Sequence, residues 1–452
     1  MRLRSPRPRA AWSLLPALAA CVLGSVLGAH AGVDADAPPL LRVGTSGDYA
    51  PFSSRDEHGN LGGFDVAVAE RFAADLGRTL AWVPFRWPEL MNALRAGTFD
   101  VAMSGVTIRP ERAVHGRFTR PYVTTGAVAL IRTAERAQIA DVRALDRPDR
   151  RLGVNAGGHL ERVARQHFPH ATIVVVPNNT ELPGLLSARQ VDAVVSDAIE
   201  ARAWLGESLT MLGPFTHDAK GYLVASGATA LGTVLDDWLA AREADGWLVA
   251  QRVKWFGHDA AMSPQDAAFA GLGAAIGLRL QLMPAVAAAK HAAGLPVHDP
   301  AQEERVLARV RDRAEAVGIR PEDAATFFRA QMAAAKAVER AAAAGDAVPD
   351  ATLEDLRAAI AAVSDQILAE LRRCAPWTLD RAARRRLART TERHLDVAGL
   401  TPSLRANIVD TLCRVRPAAA SAQRVPPPRD GMPAVSSSLA AGNPCGSALC
   451  RR

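Results

Sequence analysis

The texture of this 452-residue chain changes near Gly257, and that change limits its possible folds more than any single motif does. All three tyrosines (Tyr49, Tyr122, Tyr222) and seven of the eight tryptophans precede it; only Trp377 follows. Before it, short β-type runs at 41–43, 80–83, 101–102, 127–131, 152–154, 172–176 and 191–195 alternate with helical stretches. That alternation predicts an α/β architecture with largely parallel sheets. After it, alanine-rich segments of helical period dominate, at roughly 264–293, 300–317, 321–344, 353–373 and 379–398. Gly294-Leu295-Pro296, Gly318, Gly345 and Pro349 mark helix ends. The second half is expected to be all-α. A chain of this length exceeds a single core, so more than one domain is required.

Residues 1–31 read as a signal peptide rather than as part of the fold. Arg2, Arg4, Arg7 and Arg9 precede an apolar run over 11–27, and Ala29-His30-Ala31 is a small-x-small cleavage site. Leu18-Ala19-Ala20-Cys21 fits a lipoprotein box, ranked second because the apolar run continues past Cys21. No later apolar run reads as reaching the ~20 residues of a membrane span. Loss of the four leader arginines lowers the formal charge from +7 to +3 (7 − 4). No aromatic-interleaved basic stripe appears, which argues against nucleic acid. Cys374, Cys413, Cys445 and Cys450 remain, and an even number in an oxidising compartment favours disulfides over metal. No metal-ligand set and no cofactor motif stands out. Residues 418–452, with Pro426-Pro427-Pro428 and Ser436-Ser437-Ser438, read as a disordered tail.

The apolar run at 191–196 ends in Asp197-Ala198-Ile199-Glu200-Ala201-Arg202. Two carboxylates three residues apart suit a site that fixes a small polar ligand and also moves a proton. A transport receptor needs only the first job, so Glu200 separates receptor from catalyst. Gly47-Asp48-Tyr49-Ala50-Pro51-Phe52 offers a carboxylate and an aromatic face. Ser104-Gly105-Val106-Thr107 precedes Arg109-Pro110-Glu111-Arg112, where Pro110 is placed to open a helix. The N–H groups at that helix start, the Thr107 hydroxyl and a bidentate Arg112 would together receive a carboxylate. Asn155-Ala156-Gly157-Gly158 forms a second glycine turn. Each also has a plainer use: Arg112 as a solvated charge, Asp48-Tyr49 as a turn, Asp197 as a helix cap, Trp87 as core packing.

Together, over about 41–257, these segments resemble the type 3 periplasmic solute-binding proteins, two-lobed clamshells. The resemblance implies that Ser104, Thr107 and Arg112 hold a ligand carboxylate and Asp197 an amino group. Within that family the chain looks most like the periplasmic cyclohexadienyl dehydratases. This rests on Gly62-Gly63-Phe64-Asp65-Val66, Trp87-Pro88-Glu89-Leu90-Met91, Ala102-Met103-Ser104-Gly105, the two glycine turns and the acidic pair. The implied reaction is prephenate to phenylpyruvate, or arogenate to phenylalanine, with Glu200 as the acid. The departing hydroxide must be protonated, so Glu200 has to stay neutral far above an ordinary pKa of ~4.3. Lys220 also matches the family, as a second cation or as a surface lysine at a lobe crossing. Where the family has threonine and asparagine, this chain has His159-Leu160; His159 either contacts a carboxylate or closes a smaller pocket.

In the second half, Arg279 and Lys290 lie 11 residues apart (290 − 279), which places both on one helix face. Leu280, Leu282, Met283 and Val286 form an apolar stripe between them. Leu295-Pro296-Val297-His298-Asp299 leads into a helix carrying Gln302 and Glu303, and a run from Thr326 to Lys336 leads to Glu339. From about 264 to 417 this resembles the secreted, all-helical chorismate mutases of the AroQ class, gamma subclass. The resemblance implies substrate binding by Arg279, Lys290, Asp299, Gln302, Glu303, Glu339 and Arg357. Lys290 and a protonated Glu339 would face the breaking ether oxygen. It also implies a Cys374–Cys413 disulfide, as in some secreted members. Gln302 departs from the family's arginine; Arg305, one turn on, is the residue that would substitute.

The expectation is an exported bifunctional enzyme. Residues 38–257 would form the dehydratase and 264–417 the mutase, with chorismate and prephenate or arogenate as small-molecule substrates and each half complete in itself. The competing reading is a periplasmic amino-acid receptor of an ABC transporter with a degenerate helical domain.

Overall fold

The computed structural model describes residues 39–342, 348, 351–378 and 380–418. The leader, Cys21, Cys445, Cys450 and nearly all of the expected tail lie outside the described residues. Everything below concerns the compact unit that begins at Leu40.

Two five-stranded sheets form two lobes. In the first, the strands run in the order Thr79–Pro84, Leu40–Thr45, Val101–Ala102, Leu223–Ala225, Gly116–Phe118. In the second they run Thr172–Val176, Arg151–Asn155, Ala193–Asp197, Ala127–Arg132, Leu209–Leu212. Three neighbouring strands in each sheet are parallel and the other pairings are antiparallel. The sheets are thus mixed rather than largely parallel, because the chain crosses between lobes and returns. Both crossings pair as a two-stranded ribbon, Val123–Thr125 against Asp218–Lys220. The strand expected at 191–195 is Ala193–Asp197, buried at every position as a central parallel strand must be. That shift puts Asp197 at the strand end, where its carboxylate caps the helix Ala198–Trp204.

The second half is all-helical among the described residues: Pro264–Gln281, Met283–Ala292, Pro300–Ala316, Pro321–Ala341, Leu353–Cys374, Arg381–Arg393 and Pro402–Leu412. The single helix expected over 264–293 breaks at Leu282. Pro284 has no N–H to give, and its ring crowds the preceding turn, so a new helix starts with proline in its first turn. The stretch Pro264–Ala292 is nonetheless long and apolar enough to cross a membrane by length and composition, which corrects the expectation of no such run. Here 67% of its most apolar 18-residue window is buried inside the fold. Its glycines permit this: a Cβ at Gly277 would sit 2.6 Å from the His394 carbonyl oxygen. Within the segment expected over 379–398 the described residues are helical at Arg381–Arg393, and Pro402–Leu412 is an additional helix.

The helices dock on the first lobe. Phe85, Leu90, Leu94, Phe99 and Phe118 share one contiguous apolar core with Phe269, Leu272 and Ile276, whereas the cores of the second lobe contain no helical-half residue. Arg120 reaches Glu370 at 3.6 Å across this junction, with side-chain exposures of 6% and 0%. A fragment cut near Gly257 would uncover that shared surface, so the halves are less independent than their sequences imply.

Cys374 and Cys413 are free thiols, which overturns the expected disulfide. Cys374 is fully buried at the end of its helix, near Glu370 and Arg120, while Cys413 Sγ lies 3.9 Å from the Arg384 carbonyl on a different helix. Burial raises both thiol pKa values, that of Cys374 well above its ordinary value. A thiol-selective alkylating reagent should therefore label Cys413 slowly in the native protein and Cys374 only after denaturation, as read by peptide mass spectrometry. Recovery of a Cys374–Cys413 cross-linked peptide would contradict the arrangement.

Candidate active sites

Between the lobes lies a closed cleft of about 30 Å³. The first lobe contributes Tyr49, Trp87, Thr107 and Arg112; the second contributes Asn155, His159, Asn179 and Glu200; the ribbon contributes Lys220. Lys220 is 2% exposed and holds the centre. Its Nζ donates to Thr107 Oγ1 at 2.9 Å and Tyr49 OH at 3.1 Å, and lies 3.0 Å from Asp197 Oδ2. The other Asp197 oxygen accepts from Ile199 N at 2.9 Å and Thr125 Oγ1 at 2.6 Å, so Asp197 is helix cap and ion-pair partner at once.

Glu200 is 1% exposed. One carboxyl oxygen accepts from Asn179 Nδ2 and the other from Ser196 Oγ at 2.7 Å. Burial lifts its pKa well above the glutamate range and the Asp197 charge adds to this, against the pull of Ser196, Asn179 and Lys220. Arg112, also buried, spends a donor on the Thr107 carbonyl at 3.0 Å and lies 5.9 Å from the Trp87 ring centroid. Burial first, then the neighbouring Arg109, pushes its guanidinium down to about 9. Among the described residues it has no carboxylate within salt-bridge distance, so its charge is available to an anion in the cleft.

Two expected residues face elsewhere. Ser104 turns into the first lobe, 2.9 Å from Ser46 Oγ and 2.6 Å from Ser53 Oγ, and Asp48 does not line the cleft. His159 lines it, but its Nε2 pairs with Asp218 Oδ1 at 3.0 Å. Burial lowers the imidazole pKa against the pull of that carboxylate. Sequence reasoning missed Asn179, Ser196 and Asp218, which no motif marks. It also missed the part played by Asp65, which accepts from Gly105 N, Tyr122 OH at 3.0 Å and Tyr222 OH at 2.9 Å. Gly105 has φ +63°, and a Cβ there would meet the Tyr49 ring at 2.6 Å, so this turn needs glycine. Asp65 therefore fixes the turn that backs the cleft.

The helical half encloses a larger cavity, about 480 Å³. All seven expected residues line it: Arg279, Lys290, Asp299, Gln302, Glu303, Glu339 and Arg357. The break at Leu282 puts Arg279 and Lys290 on successive helices without separating them. Arg279 is 4% exposed, 5.7 Å from the Phe328 ring centroid, with Nε and Nη1 unpartnered. Lys290 Nζ donates to Glu339 Oε2 at 2.7 Å and the Val297 carbonyl at 3.2 Å. Glu339 Oε2 is thus the acceptor for Lys290. Asp299 Oδ1 caps its helix through Gln302 N at 3.0 Å. Glu303 accepts from Lys336 at 2.9 and 3.0 Å. Arg305, the residue expected to substitute for the family's arginine, lines the cavity too, as do Lys336, Arg309 and Asp365, which sequence reasoning did not place in the site. Helical spacing was the available signal, from Gln302 for Arg309, from Glu339 for Lys336 and from Arg357 for Asp365.

Residues 41–258 match the bacterial extracellular solute-binding proteins, family 3, and residues 271–340 match chorismate mutase type II. A cyclohexadienyl dehydratase of Pseudomonas aeruginosa is 36% identical over 221 residues, covering 48% of this chain and 82% of that protein. An L-cystine-binding protein of Escherichia coli is 29% identical over 223 residues, covering 48% and 83%. The crystal structure of an ancestral amino acid-binding protein, a precursor of cyclohexadienyl dehydratase, is 34% identical with a TM-score of 0.47, covering 48% of this chain and 95% of that chain.

The Glu200 environment makes a spectroscopic prediction. At about pH 6, where exposed carboxylates are ionised, burial keeps Asp65, pushed up to about 7, and part of Asp236, pushed up to about 6, protonated beside Glu200, so difference infrared spectra should show several protonated carboxyl bands, of which Glu200→Gln removes one. Asn179→Ala deletes a bond that favours the carboxylate, so it should move that band's titration to higher pH. A downward move would contradict the arrangement.

Proposed function

Through residues 41–258 the chain belongs to the family 3 bacterial extracellular solute-binding proteins, with a type II chorismate mutase region behind them, and on that footing we propose that it catalyses two consecutive reactions. The helical half rearranges chorismate to prephenate; the clamshell half dehydrates and decarboxylates prephenate, or arogenate, to phenylpyruvate or phenylalanine. We assign the activities to residues 264–417 and 38–257. Residues 1–31 are proposed to be the export signal, in keeping with the family's extracellular description.

The observation that carries the dehydratase reading is Glu200: a buried carboxyl held neutral, second to Asp197, inside a cleft lined by cations. A receptor for an amino acid uses Asp197 and Arg112 and has no work for such an acid. Arg112 and the Thr107 region take a substrate carboxylate. Glu200 delivers its proton to the ring hydroxyl as the C–O bond breaks, the ring carboxylate departs as carbon dioxide, and the electron pair it leaves completes the aromatic ring. Water is the other product, and Glu200 regains a proton when the lobes part. The closed cleft is smaller than prephenate, so the lobes must open to admit it and close to dry the acid.

The rearrangement needs no proton transfer and no nucleophile, only a pocket that holds the reactive geometry and stabilises charge on the ether oxygen. Arg279 takes a carboxylate, and Lys290, steered by Glu339, faces that oxygen.

Glu200→Gln should abolish dehydration while prephenate still binds, because the amide keeps the shape and cannot give up a proton to hydroxide. Retention of turnover within about tenfold, ~1.4 kcal/mol of barrier, would remove Glu200 from the acid role. Lys290→Ala should abolish chorismate turnover and leave prephenate dehydration intact, since that cation acts mainly in the transition state. Ultraviolet absorbance with each substrate reads both; loss of dehydration in Lys290→Ala would argue against two separate sites.

A further inference from the structure

Six cationic side chains line the helical cavity: Arg279, Lys290, Arg305, Arg309, Lys336 and Arg357. A dicarboxylate needs cations whose charge is not already matched. Lys290 is matched by Glu339 at 2.7 Å, Lys336 by Glu303 at 2.9 Å, and Arg309 by Asp365 at 2.7 Å. Among the described residues, Arg279, Arg305 and Arg357 have no acidic partner within salt-bridge distance. Arg279 is the buried one and serves a first carboxylate. The second must go to Arg305 or Arg357, both exposed at the cavity wall.

The geometry favours Arg305. Its Nε and Nη2 donate to Gln302 Oε1 at 3.1 and 2.7 Å. Gln302 is itself anchored, its backbone N–H donating to Asp299 Oδ1 at 3.0 Å. A neutral acceptor holds the guanidinium without cancelling its charge. The bonds use the Nε side of the fork, and the Nη1–Nη2 edge stays free for a bidentate carboxylate. Nothing comparable holds Arg357 among the described residues, so fixing its long side chain would cost more rotamer entropy.

We propose that Arg305, oriented by Gln302, is the second carboxylate anchor of this pocket, and that Gln302 is a positioning residue rather than a lost arginine. The inference rests on the mutase reading above. It reverses an obvious expectation: Gln302→Arg would set two guanidiniums against each other and lower activity. Gln302→Glu would keep an acceptor for Arg305 yet neutralise its charge, which a merely structural role for Gln302 would not penalise.

The test uses the full chain, with chorismate loss followed by ultraviolet absorbance. Arg305→Ala should lower kcat/KM about 30-fold or more, mostly through KM, since an anchor binds ground and transition states alike. Gln302→Ala should raise KM less, and Gln302→Glu more than Gln302→Ala. Prephenate dehydration by the same chains should not change, which shows that they are folded. Arg305→Ala within about threefold of the parent, or a gain in kcat/KM from Gln302→Arg, would overturn the proposal. If the parent chain is inert toward chorismate, the mutase reading fails, and calorimetric titration of chorismate into an Arg112→Ala chain, its cleft silenced, decides the anchor separately. Binding lost on adding Arg305→Ala would uphold the anchor; no binding, or binding indifferent to Arg305, would overturn it.

Discussion

The clamshell closes around a single ammonium group. Burying Lys220 is costly unless acceptors replace its water. The acceptors come from both lobes: Tyr49 and Thr107 from one, Asp197 from the other. The ribbon that carries Lys220 is also the crossing between the lobes, so the group that joins the lobes sits where the chain passes from one to the other. This arrangement decides the fate of the acidic pair. Asp197 has the ammonium in contact; Glu200, one helical turn on, has only neutral donors from Asn179 and Ser196. Two carboxyls close in sequence thus receive opposite environments, and the one without a cation in contact is the one whose pKa is raised, as the proposed acid requires.

The helical half handles charge differently. Three of its six cavity cations are matched by carboxylates on neighbouring helices. Those pairs set the positions of the side chains before substrate arrives, which suits a rearrangement that depends on geometry and electrostatic fit more than on proton transfer.

Much of this was legible in the sequence. The helices expected from about 264, 300 and 321 begin at Pro264, Pro300 and Pro321, and the alternating first half is α/β as its pattern implies, while its two-lobed form followed from the family resemblance. Pro284 was passed over because the apolar period runs through it unbroken, although backbone chemistry forbids one continuous helix. Motif position located the Ser104 loop but not the direction of its hydroxyl, which a single turn at Gly105 sends inward. Asn179 lies 21 residues from Glu200 in the chain, and Asp65 lies 40 from Gly105; such partners follow from topology, not from local pattern. The cysteines misled for a related reason. Their number suits a disulfide, but Cys374 faces the core and Cys413 a different helix.

The apolar junction between the first lobe and the helices has a thermal consequence. Phe85 and Phe99 on one side and Phe269 on the other belong to one core, so neither side can melt and leave the other's surface dry. Heating should therefore dissolve the first lobe and the helical bundle as one cooperative unit, while the second lobe, with cores of its own, is free to open at a different temperature. Damage to the bundle would then reach the dehydratase through lost folding rather than lost chemistry, and the two activities would share a lifetime even though they share no catalytic atom.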